Sequence, residues 1–101
     1  MPNAVVVQYR TRADQAEPNR RLIEQVFKEL RDVRPTGLSY MAFVLEDGVG
    51  FVHVVVSESA EDGLAGSVAF QKFQENITER LVGPPEFTSM TVVGSYDAKD
   101  R

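Results

Sequence analysis

Two runs of alternating side chains flank the dipeptide Asp47-Gly48, and that arrangement over residues 38–56 constrains the fold more than any other feature. Asp-Gly between strand-like runs signals a β-hairpin, because a type I′ turn needs φ > 0 at both central positions. With Asp47 and Gly48 as the turn, antiparallel pairing sets Glu46 opposite Val49, Val44 opposite Phe51, Ala42 opposite His53 and Tyr40 opposite Val55. One face then carries Met41, Phe43, Leu45, Val52, Val54 and Val56. The other carries Leu38, Tyr40, Ala42, Val44, Phe51, His53 and Val55. Neither face has the polar alternation of a solvated surface, so the hairpin needs cover on both sides.

The remaining elements follow from periodicity and punctuation. Residues 4–9 read as a first strand, whose β-branched run Val5, Val6, Val7 suits a central position buried on both faces. Residues 13–34 predict a helix: Leu22, Ile23, Val26, Phe27, Leu30 and Val33 recur at three- and four-residue spacing, with Arg20, Glu24, Lys28 and Arg31 opposite. Pro18 is tolerated only in a first turn, which sets the onset within residues 14–17 and the end before Pro35. Residues 57–66 are small and polar, a connection. A second helix is expected over residues 67–81, with Val68, Phe70, Phe73, Ile77 and Leu81 as its apolar stripe, stopped by Gly83-Pro84-Pro85. The last strand is expected at residues 87–96, followed by a polar tail at 97–101.

Strand, helix, strand, strand, helix, strand is the order of a split βαβ unit, an α+β ferredoxin-like domain spanning residues 1–101. Such a four-stranded antiparallel sheet holds both helices on one face and leaves the other bare. The bare face is expected to carry Ala42, Val44, Phe51 and Val55, with Met90 and Val92 from the last strand. An apolar patch of that size is rare on a monomer, so the expected assembly is a homodimer with sheets facing each other.

Composition narrows the function classes. The 101 residues make one module with no room for a separate cofactor domain, and the net charge of −4, with basic and acidic side chains interleaved, argues against a nucleic-acid partner. Cysteine is absent, which removes disulfides, thiolate metal sites and cysteine nucleophiles. No apolar run approaches the roughly 18 residues of a membrane span, and Met1-Pro2-Asn3 opens no signal core. The expectation is a cytoplasmic protein without a membrane partner. Without paired histidines or a glycine-rich phosphate loop, no metal, flavin or haem is expected.

The segments Asn19-Arg20-Arg21-Leu22-Ile23, Val26-Phe27, Glu29-Leu30, Pro35-Thr36-Gly37, Asp47-Gly48 and Phe51-Val52-His53-Val54, in this element order, carry a resemblance. The chain resembles the small dimeric α/β-barrel proteins of the antibiotic biosynthesis monooxygenase superfamily. The resemblance implies ferredoxin-like subunits whose sheets face each other, with a pocket between each sheet and its helices or loops. Some members oxidise polycyclic phenols without metal or flavin; others degrade haem or isomerise lactones. The chain has no tryptophan and lacks the asparagine, tryptophan and histidine set of the haem-degrading members, which argues against haem chemistry.

His53, the sole histidine, and Tyr40 share a hairpin face and are the candidate catalytic pair. The imidazole suits proton transfer with an enolised or phenolic substrate, and the phenol suits holding a substrate oxygen. Ala42, Phe51, Val55 and Gln8 are the candidate substrate-binding residues, the small Ala42 leaving space opposite His53. Each has a structural alternative: His53 as a satisfied buried polar group, Tyr40 as a packed ring with a wet hydroxyl. Tyr9 and Tyr96 read as packing or strand-end residues, and Asn19 with Arg20 as a cap or solvated face. Glu58, Glu61 and Asp62 cluster without a histidine, too little for a metal site. Two functions remain open: a cofactor-independent monooxygenase or related enzyme for a small apolar oxygen-bearing compound, and a non-catalytic dimeric module that binds a small molecule or supports a partner.

Overall fold

The computed structural model describes residues 3–57 and 68–96. Its strands are β1 (Asn3–Arg10), β2 (Leu38–Val44), β3 (Gly50–Ser57) and β4 (Glu86–Met90); its helices are α1 (Ala16–Val33), α2 (Val68–Gln74) and α3 (Ile77–Arg80). The strands form one four-stranded sheet in the order β2-β3-β1-β4, antiparallel throughout, the topology of a ferredoxin-like α+β fold. The β-branched run of β1 is central, as its composition requires.

The hairpin register agrees with the sequence at every pair from Leu38 to Val44: Tyr40 faces Val55, Ala42 faces His53 and Val44 faces Phe51. The turn is of another type. Gly48 has φ 78°, but Asp47 is not among the residues of positive φ, so the turn is not type I′. Gly48 N–H donates to the Leu45 carbonyl across Glu46-Asp47, and the Asp47 carboxylate accepts from the Val49 and Gly50 N–H groups. The side chain thus satisfies two backbone N–H groups just beyond the turn.

The covered face also differs from expectation. Phe51 and His53 are buried with Tyr9, Ile23, Val26, Phe73 and Leu81, while Tyr40 and Ala42 pack against that cluster. The helices therefore lie over the His53 face, and the bare face carries Met41, Phe43, Val52, Val54 and Met90. Met41 is 58% and Phe43 44% exposed. Because both hairpin faces are apolar, patterning left the choice open; α1 covers the face whose polar groups it can satisfy.

Helix α1 follows a single 3-10 turn at Ala13–Gln15 and ends where Arg34 turns left-handed, its N–H donating to the Leu30 carbonyl. The second helix is not continuous. Asn76 has φ 56°, which separates α2 from α3, and the Arg80 guanidinium donates to the Phe73 and Glu75 carbonyls that the break exposes. Leu81 is extended and bridges to Thr11. Strand β4 stops at Met90, short of the expected residue 96; Val93 and Tyr96 beyond it are exposed. The connection at 57–66 beyond Ser57, with its acidic cluster, and the tail at 97–101 lie outside the described residues.

Candidate functional site

Strand alternation puts Tyr9, His53 and Tyr40 on the helix side of three neighbouring strands, and each is anchored by its ring before its polar atoms find partners. Tyr9 stacks on Phe51 at 5.5 Å between centroids, Phe27 of α1 stacks on Tyr40 at 4.9 Å, and Phe73 of α2 closes over His53 at 5.5 Å. His53 is 4% exposed. Both of its nitrogens are engaged: Nδ1 lies 2.6 Å from the Tyr40 hydroxyl and Nε2 2.7 Å from the Tyr9 hydroxyl.

The polar chain continues beyond Tyr9. Asn19 Nδ2 donates to the Tyr9 hydroxyl at 3.0 Å, and Arg80 Nε donates to Asn19 Oδ1 at 3.1 Å. Asn19 is fully buried and Arg80 7% exposed, its guanidinium 5.4 Å from the Phe73 ring centroid. Among the described residues no buried side-chain nitrogen or oxygen lacks a partner, as a polar network inside a core requires.

Burial governs the protonation of this chain. It holds the His53 imidazole down to about 4, so the ring is neutral at physiological pH. Burial pushes the Tyr9 phenol up to about 12, against the opposing pull of the Asn19 hydrogen bond and the Arg80 charge. Burial and the neighbouring Tyr9 raise Tyr40 as well, and burial lowers Arg80. Both phenols are therefore protonated.

Two hollows flank Phe27 at the Tyr40 end of the chain. One, of about 200 Å³, is lined by Phe27, Leu30, Arg31, Arg34, Pro35, Leu38 and Tyr40. The other, of about 230 Å³, is lined by Arg20, Ile23, Glu24, Phe27, Ala42, Phe43, Val44 and Phe51. Phe27 is their common wall, and His53 lines neither. Of the residues singled out in the sequence, His53, Tyr40, Ala42 and Phe51 thus gather on one side of the sheet, with Val55 beside Tyr40 on the same face. Gln8 does not join them on that face: it pairs with Val52 and Glu86 on the opposite face, and the groove of about 440 Å³ that it lines also touches Tyr9 and Phe51.

Sequence reasoning read Tyr9 as a packing or strand-end residue and Asn19 as a cap or solvated face, and did not single out Arg80; all three belong to the network, and Asn19 is fully buried. A signal exists in retrospect. Asn19 stands four residues before Ile23, in line with the apolar stripe of α1, and Arg80 stands three after Ile77. Among the described residues no three His, Cys, Asp or Glu side chains come together to hold a metal ion, and no helix is long and apolar enough to cross a membrane.

No family model matches the chain, and no curated protein matches its sequence. Solved structures do match its shape. Rv0793 from Mycobacterium tuberculosis superposes with a TM-score of 0.75 at 21% identity, over 96% of this chain and 100% of that one. An antibiotic biosynthesis monooxygenase superposes with a TM-score of 0.66 at 15% identity, over 91% and 99%. A variant of SnoaB, a cofactor-independent oxygenase from Streptomyces nogalater, gives a TM-score of 0.67 at 9% identity, over 93% and 95%. At these identities the likeness is one of fold, and the chain has the ferredoxin-like α+β fold of the antibiotic biosynthesis monooxygenase-like proteins.

Proposed function

We propose that the protein is a cofactor-independent monooxygenase-type enzyme acting on a small, largely apolar, oxygen-bearing compound. The observation that carries this reading is Tyr40, which lines the hollow under the end of α1 while its hydroxyl meets His53 Nδ1 at 2.6 Å. Tyr40 meets the substrate oxygen; His53, one hydrogen bond behind, fixes and polarises that hydroxyl. Phe27, Leu30 and Leu38 give the hollow apolar walls suited to an aromatic or enolic ring, with Arg31 and Arg34 also lining it. A substrate of that kind reduces dioxygen itself: one oxygen atom enters the product, and the other leaves as water with two hydrogens taken from the substrate. SnoaB, whose fold the chain shares, is a cofactor-independent oxygenase.

The assembly belongs to the same proposal. The bare sheet face, with Met41, Phe43, Val52, Val54 and Met90, fits a second copy of itself across a two-fold axis. A second reading, a non-catalytic binding module, is favoured by one observation: His53 is 4% exposed with both nitrogens engaged, as a structural polar group would be. Oxygen uptake and thermal shift, measured on one panel of small phenols and enolisable ketones without added metal or flavin, separate the two. Uptake with matching product supports the enzyme. Binding without uptake supports the module, and neither response across the panel overturns both.

A further inference from the structure

The hydrogen bonds between Arg80 and Tyr40 run in one direction only, and the chemistry of the donors fixes which. A guanidinium donates and never accepts. Arg80 Nε therefore commits Asn19 Oδ1 as an acceptor, which turns the amide nitrogen toward Tyr9, where Nδ2 donates to the hydroxyl at 3.0 Å. Having accepted from Asn19, the buried Tyr9 hydroxyl pairs its own proton by donating to His53 Nε2 at 2.7 Å. A neutral imidazole that accepts at Nε2 carries its proton on Nδ1, which then donates to the Tyr40 oxygen at 2.6 Å. Run in reverse, the chain would leave the Tyr9 proton buried with no acceptor, the costly arrangement for a polar group in a core.

We propose that Arg80 and Asn19 are positioning residues that hold His53 as its Nδ1–H tautomer, so that Tyr40 accepts from His53 and keeps its own proton for a ligand. Burial keeps the ring neutral well below physiological pH, which leaves a single proton to be placed. Tyr40 then faces the hollow as a donor. The matching ligand presents an accepting oxygen, a carbonyl or a phenolate or enolate anion. That statement about the ligand rests on the proposed role of Tyr40; the tautomer does not.

The chain has one histidine, so protein labelled with 15N-histidine gives one set of imidazole signals without any substitution. A long-range 1H–15N correlation spectrum at neutral pH is expected to show Nδ1 protonated and Nε2 bare. A proton on Nε2, or comparable populations of both tautomers, overturns the proposal. Asn19→Asp offers carboxylate oxygens to both Arg80 and the Tyr9 hydroxyl, so the chain is expected to invert, with Nε2 protonated and Tyr40 donating to Nδ1. An unchanged Nδ1–H signal in that variant shows that Asn19 does not set the direction, and overturns its role. If Asn19→Asp does not fold, Arg80→Met frees the amide to turn and is expected to show both tautomers; a pure Nδ1–H spectrum there removes Arg80 from the account. These spectra do not depend on turnover. Failure of the monooxygenase reading would appear in oxygen uptake and leave them unchanged.

Discussion

The Tyr40 hydroxyl lies 2.6 Å from His53 Nδ1 although the two residues are not cross-strand partners: Tyr40 pairs with Val55, and His53 with Ala42. Diagonal neighbours on one sheet face are within reach of aromatic side chains, and the small Ala42 opposite His53 leaves the phenol room to lean across. The result is an imidazole clamped between two phenols. Several outcomes depend on that clamp and on the sheet that carries it.

Acid should weaken the fold through His53. Its imidazole titrates near 6.5 in an unfolded chain and is held down to about 4 when folded. Between those values the unfolded chain binds more protons, so this contribution is fully present above about 6.5 and is lost as the pH falls toward 4. The loss amounts to about 3 kcal/mol. Urea unfolding at stepped pH should show that slope in the wild type and not in His53→Gln, the carboxylates titrating equally in both; parallel curves across the window would contradict it.

Gly48 should be replaceable only at a backbone cost. Its φ is 78°, and a Cβ added there meets nothing within 4 Å, so contacts do not decide the outcome. Gly48→Ala is expected to lower stability by about 1 kcal/mol through the left-handed conformation alone. The check is a shift of the denaturation midpoint at unchanged m-value; a variant as stable as the wild type would mean the turn relaxes.

The sequence made the hairpin register legible because a two-residue period around Asp47-Gly48 admits one pairing that matches both strands. It led to the wrong covered face: Ala42, Val44, Phe51 and Val55 were expected bare, and the helices lie on their side of the sheet. Met41, Phe43, Val52 and Val54 are as apolar as Ala42, Phe51 and Val55, and what distinguishes the covered face is the linked set Tyr9, Tyr40 and His53, which Asn19 of α1 joins through Tyr9. The helix break was hidden for a similar reason: the apolar stripe continues through Phe73 and Ile77, while Asn76 leaves the helical conformation between them. Tyr40 and His53 were legible as a pair because alternation alone puts them on one face. Asn19 and Arg80 were not, since they meet across 61 positions of sequence.

The bare face should hold the dimer together. Val54 sits on the central strand β3, between Val6 and Met41 on its neighbours. Light scattering at micromolar concentration is expected to show a homodimer for the wild type and a folded monomer for Val54→Asp, because a charge inside that interface would be buried without a partner. A wild-type monomer, or a variant that dimerises normally, would refute the assignment of this face.

Tyr40→Phe bears most directly on the account. It keeps the ring that packs on Phe27 and removes only the hydroxyl that joins ligand to His53. With any compound that the wild type oxidises, kcat/KM measured by oxygen uptake should fall roughly a hundredfold in the variant, the scale of a positioned proton-transfer group. Its circular dichroism and oligomeric state should match the wild type. A folded Tyr40→Phe variant that oxidises the compound at the wild-type rate would contradict the proposal that Tyr40 meets the substrate.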